Sequence, residues 1–212
     1  MKKTLTLTFI LMGCTQNYLA PRYTLTATFL DAFSNQPIEG FGIYGVDVIH
    51  PAAISLTGSA RTKLVNRISY SNKDGIASVA FHRFRKGSRY EFFFSSQDKK
   101  YFSPVNLKIG ASDFDFQKNI KKTYKLDSKA QLRVKVNLKT PLKDGEKIDL
   151  IIGSKYEINI TNNYVNDNKT YELTGNFPTS VTKIYINNGV ETRVRETITL
   201  KPFVVNDYEF TY

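Results

Sequence analysis

The segment Thr24-Leu25-Thr26-Ala27-Thr28-Phe29 puts an apolar side chain at every second position and a threonine between each pair. A period of two is the repeat of a β-strand, whose successive side chains point to opposite faces; a helix needs its apolar stripe every three or four residues. The alternation returns at Leu132, Val134, Val136 and Leu138, set between Arg133, Lys135, Asn137 and Lys139, and again at Tyr208-Glu209-Phe210-Thr211-Tyr212. In each run one face belongs to a core and the other to water. The aromatic residues are 15 Phe and 13 Tyr with no Trp, side chains that favour strands. The chain reads as all-β.

Turn chemistry divides the strands. Phe33-Ser34-Asn35-Gln36-Pro37 reads as a turn, followed by a strand over Ile38–Val48 that Gly40, Gly42 and Gly45 interrupt. Residues 49–66 (IHPAAISLTGSARTKLVN) read as a long excursion, of a length that is uncommon in compact domains and often functional. Arg67–Phe81 reads as a hairpin across Asn72-Lys73-Asp74-Gly75. After a further turn at Arg85-Lys86-Gly87-Ser88, Tyr90-Glu91-Phe92-Phe93-Phe94 reads as a strand covered on both sides, at the centre of a first core. Lys121–Lys129 (KKTYKLDSK) is polar enough for a linker. Beyond it Ile148–Ile152 and Tyr156–Ile160 are strands, and Asn188-Gly189, tolerant of positive φ, suits a two-residue hairpin turn. The expected architecture is two tandem β-sandwich domains, Ig-like or prealbumin-like, over 23–126 and 127–212.

The first residues carry an address. Met1-Lys2-Lys3, the apolar run Thr4–Met12 and Gly13-Cys14 have the charge, greasy stretch and small residue of a secretory signal. The run is about half of the roughly 20 residues that span a bilayer. Leu11-Met12-Gly13-Cys14 resembles the lipobox of bacterial lipoproteins, with Met12 departing from the usual small residue. The resemblance implies a signal peptide over 1–13, a diacylglyceryl thioether on Cys14, and a lipidated tether over 14–22. Thr15 in place of Asp resembles outer-membrane sorting. The other reading of Cys14 is a small apolar residue near an ordinary cleavage site. Cys14 is the one cysteine, so the rest of the chain has no thiol for disulfides, zinc thiolates or nucleophilic catalysis.

Three groups, ATFLDAFSNQPIEGFGIYGV, SNKDGIASVAF and KGSRYEFFFSS, are similar to the carboxypeptidase regulatory-like domains, which share a prealbumin-like sandwich. The shared features are Asp31 in the opening strand, Pro37-Ile38-Glu39-Gly40, Asp74-Gly75, and Gly87 shortly before Tyr90. They cover roughly residues 23–109 and are turn chemistry, so the resemblance implies a fold more than a function.

The whole chain has a net charge of +11. Residues 23–126 hold fifteen Lys and Arg against eight Asp and Glu, whereas 127–212 hold twelve against eleven. The first domain is therefore the basic one. Arg61, Lys63 and Arg67, in or after the excursion, and Arg83, Arg85, Lys86 and Arg89 around the second turn form an anion-binding surface if they converge and a solvated, soluble surface if they scatter. A tether of about nine residues, at roughly 3.3 Å each, keeps this domain within about 30 Å of the membrane.

Catalytic signatures are missing from the sequence. His50 and His82 are the two histidines, too few for a zinc site and placed where surface or satisfied positions are expected. No Gly-x-Ser-x-Gly occurs. Ser112-Asp113-Phe114-Asp115 and Asn166-Asp167-Asn168 offer oxygen ligands without the twelve-residue calcium pattern, and read as turns. The expectation is a non-enzymatic outer-membrane lipoprotein, facing the periplasm or the exterior, with no cofactor and no metal. Its modules act as a spacer or a protein-binding platform, with a membrane, an envelope protein or an acidic glycan as partner and no nucleic acid. The alternative is a carbohydrate- or polyanion-binding accessory module.

Overall fold

The alternating runs become strands throughout. The computed structural model describes residues 22–49, 61–64, 68–82, 88–109, 119–164, 166 and 169–212, and every regular element among them is β. The strands fall into two units, one of residues up to Lys99 with Ser103–Leu126, the other of Lys100–Phe102 with Asp127–Tyr212.

In the first unit β1 (Arg22–Asp31) lies between β5 (Ile76–His82), antiparallel, and β8 (Asn119–Leu126), parallel. The second sheet runs β3 (Arg61–Leu64), β2 (Phe41–Ile49), β6 (Ser88–Ser96), β7 (Leu107–Ile109), and β4 (Ser69–Tyr70) also pairs with β2. Leu25, Ala27 and Phe29 are fully buried, as the alternation requires. The two sheets meet through rings: Phe29 contacts Phe41 at 4.7 Å and Phe94 at 5.9 Å between centroids, and Phe81 contacts Phe92 at 5.3 Å. Each such ring removes enough apolar surface from water to contribute about 1.5–3 kcal/mol. Phe93, on the opposite face, is half-buried and stacks on Tyr44 at 5.4 Å.

In the second unit β9 (Lys129–Asn137) lies between β12 (Thr170–Thr174), antiparallel, and β15 (Val205–Thr211), parallel. The facing sheet runs β11 (Tyr156–Ile160), β10 (Glu146–Ile152), β13 (Pro178–Asn187), β14 (Val190–Thr199). Ala130, Leu132, Val134 and Val136 bury against Ile148, Leu150, Ile152 and Phe210. Asn188 (φ 48) and Gly189 (φ 83) form the two-residue turn between β13 and β14. The units share one plan: the first strand is flanked by an antiparallel strand and by the unit's last strand in parallel, over a second sheet whose order is the same. In the first unit β3 and β4 divide between them the edge that β11 forms alone.

Three sequence expectations are corrected. Part of the 49–66 excursion is strand, since Arg61–Leu64 pair with Val46–Ile49. Arg67–Phe81 is not a hairpin: β4 pairs with β2 and β5 with β1, so the Asn72–Gly75 turn carries the chain from one sheet to the other. The presumed linker from Lys121 is β8, whose Leu126 is 2% exposed while its lysines face solvent at the sheet edge.

Candidate functional site

Of the residues singled out in the sequence, Cys14, His50, Arg67, Arg83, Arg85, Lys86 and Ser112–Asp115 lie outside the described residues. Arg61 and Lys63 occupy alternate positions of β3, and Thr62 between them pairs with Val48, which pairs in turn with Arg89. Asp31 is buried and its Oδ1 accepts the Phe33 and Ser34 N–H groups and the Ser34 hydroxyl, which makes it a turn residue. Asn166 likewise serves the backbone: its side chain accepts from Val136 N–H and donates to Val136 C=O, both at 2.7 Å. Among the described residues no three His, Cys, Asp or Glu gather to hold a metal.

The charged side chains of the second unit follow a rule with one exception. Its strands carry seven cations among the described residues. Lys129 pairs with Glu172, Arg133 and Lys135 with Asp207, Lys147 with Asp149, Lys183 with Glu196, and Arg193 with Glu191. Hydrogen bonds from Arg133 and then Lys135 hold the Asp207 carboxyl well below the usual carboxylate range. Glu196 is also held low, first by the Tyr208 hydroxyl that donates to it, and burial pushes the Tyr208 hydroxyl up. Arg195 is the seventh cation, exposed and without an ion-pair partner among the described residues.

Arg195 lines a groove of about 630 Å³ together with Ser154, Lys155, Thr174, Phe177 and Ser180, and Asp127 adds a carboxylate. The groove is built by turns that the backbone holds in place. Gly153 (φ 59) starts the β10–β11 turn and donates to Ser180 C=O at 2.8 Å, setting Ser154 and Lys155 beside β13. The Lys155 ammonium sits 4.9 Å from the Tyr156 ring centre, and Tyr156, then Glu172, hold its pKa above the ordinary lysine value. Between β12 and β13 the Gly175 N–H donates to Ser128 C=O and the Asn176 N–H to Leu200 C=O, each at 2.8 Å. A Cβ on Gly175 would approach Pro202 to 2.7 Å, so the loop passes as close as glycine allows. Asn176 takes a positive φ of 62, and Pro178 restricts Phe177 to extended backbone. The loop thus presents Phe177 with 38% of its surface open to water.

Sequence reasoning looked for an anion site in the basic first domain and missed this groove. The Phe177-Pro178 pair is the local signal. Arg195 has none, because its lack of a partner shows only once β13 and β14 are in register.

No protein-family model matches the chain, and no curated protein matches it. Solved structures resemble it. The Bacillus anthracis TIE protein does so at 8% identity and a TM-score of 0.35, over 90% of this chain and 34% of that one. The shaft pilin SpaA from Lactobacillus rhamnosus GG does so at 9% identity and a TM-score of 0.35, over 91% and 97%. The streptococcal ancillary pilin does so at 16% identity and a TM-score of 0.37, over 89% and 62%. This chain spans about a third of the TIE structure and under two thirds of the ancillary pilin. At these TM-scores the likeness supports no functional conclusion.

Proposed function

We propose that the chain is a non-catalytic lipoprotein, anchored to the outer membrane through Cys14, whose β-sandwich modules work as a spacer or protein-binding platform at the cell envelope. The observation that carries this reading is the repeated plan: among the described residues one two-sheet strand order, built of eight strands in the first unit and seven in the second, occurs twice along the chain behind an apolar run that ends at Gly13-Cys14. A module whose large side chains fill its own core offers surface to a partner. The turn chemistry at Asp31, Pro37–Gly40 and Asp74-Gly75 supports a carboxypeptidase regulatory-like ancestry for the first module.

Two acyl chains, at about 0.8 kcal/mol per buried methylene, hold a protein firmly where one chain is marginal. The test is metabolic labelling with an alkyne fatty acid in cells producing the wild type or Cys14→Ser. Label and membrane-fraction recovery are both expected in the wild type and both lost in the variant. An unlabelled wild-type chain would overturn the anchor, and with it the envelope location.

A further inference from the structure

We infer that the groove at Phe177 and Arg195 in the second module binds an acidic sugar, a hydroxyl-rich ring that carries a carboxylate. This assignment is independent of the lipid anchor and stands or falls on the groove alone.

Each part of such a ligand meets a group suited to it. Arg195 is the one strand cation of the unit that forms no ion pair with a carboxylate among the described residues, and it lies on the groove with Lys155. A guanidinium holds five donors in a planar fork that matches a carboxylate, and charge-assisted hydrogen bonds are the strong ones. Ser154, Thr174 and Ser180 supply hydroxyls that donate and accept, as sugar hydroxyls require. Asp127 is acceptor-only when ionised and takes sugar O–H groups, while the two cations outnumber it and leave the groove net positive. Phe177 offers an apolar ring to the C–H face of the sugar. The loop that presents this ring is already fixed by the backbone bonds of Gly175 and Asn176, so little ordering is left for binding to accomplish. A purely anionic ligand has no apolar face to set on Phe177, and a neutral sugar gives the Arg195 donors only hydroxyl acceptors where an acidic sugar gives them a carboxylate; the acidic sugar uses both groups fully.

The experiment is isothermal titration calorimetry of the full chain, purified in detergent, with a short oligogalacturonate, with its methyl ester, and with polyacrylate, which has carboxylates without the sugar. The oligogalacturonate is expected to bind; the ester should bind at least about tenfold more weakly for want of a charge-assisted hydrogen bond, and polyacrylate at least about tenfold more weakly for want of the ring that Phe177 would cover. Arg195→Gln should lose about tenfold or more on the first of these grounds, and Phe177→Ala about tenfold or more because the apolar face of the sugar is left open to water. Both side chains are exposed, and circular dichroism verifies that the variants fold. Arg193→Gln removes the same charge two residues along β14, outside the groove, and should bind like the wild type. Absence of oligogalacturonate binding, equal binding of polyacrylate, or equal losses in the Arg193 and Arg195 variants would each overturn the assignment. None of these outcomes touches the lipid anchor.

Discussion

Alanine at Gly75 would set a Cβ 2.5 Å from the Phe29 carbonyl oxygen and 3.1 Å from Pro37 Cβ, at a φ of +73. Two costs separate here. Left-handed backbone costs a residue with a Cβ about 1–2 kcal/mol. The overlap adds about 1–3 kcal/mol, the usual cost of overpacking. It is not easily relieved, because Phe29 N–H donates to Gly75 C=O at 2.8 Å and Phe29 C=O accepts from Ile38 N–H at 3.0 Å. Movement there also disturbs a ring that is 0% exposed at the centre of the first core. Gly40 supplies the comparison within the same unit: its φ is +76, yet the nearest atom to a built Cβ is the Gln97 side-chain oxygen at 3.6 Å. Gly75→Ala is therefore expected to cost roughly 2–5 kcal/mol and Gly40→Ala about 1–2 kcal/mol. Urea unfolding followed by far-UV circular dichroism measures both, since the chain has no Trp to report fluorescence. Hydrogen exchange at the Leu25 and Phe92 amides assigns the loss to the first unit. Equal costs for the two variants, within about 0.5 kcal/mol, would refute the reasoning, because the overlap would then have been relieved without penalty.

Two further perturbations follow from the charged groups. Asp31→Ala leaves the Phe33 and Ser34 N–H groups and the Ser34 hydroxyl without their acceptor and should cost about 1–3 kcal/mol in the same unfolding experiment; Asp31→Asn, which keeps an oxygen, should recover part of it. The Asp207 carboxyl is held low in the folded state, so its contribution to stability is present above the ordinary carboxylate pKa of about 3.9 and disappears as pH falls below it. Asp207→Asn should therefore flatten the acid limb of the second unit's stability curve while changing it little near neutrality, where exposed pairs contribute modestly; an acid limb identical to the wild type would count against the Arg133 and Lys135 bonds.

Much of the fold was legible because strands and tight turns are local events. Leu132, Val134 and Val136 alternate with charged residues and are buried, and Asn188-Gly189 turns with both φ values positive. Errors gathered where the pattern is weak. β8 is an edge strand with a mostly exposed face, so Lys121, Lys122 and Lys125 gave it the composition of a linker. The hairpin reading of 67–81 failed because sequence neighbours with a good turn between them pair only if no other strand edge competes, and β1 and β2 each offered one.

The sequence by itself determined that this chain is all-β, which side chains of its strongly alternating strands face a core, and where Gly75 and Gly189 let the backbone turn. These properties depend on side-chain alternation and on the φ a residue tolerates, both written within a few positions. Tertiary structure decided which strands pair, that each unit's last strand runs parallel to its first, and that Arg195, on the groove, alone among the described strand cations of the second unit forms no ion pair. Such facts arise from contacts across many residues of chain, where alternating strands look alike until burial of their faces selects the partners.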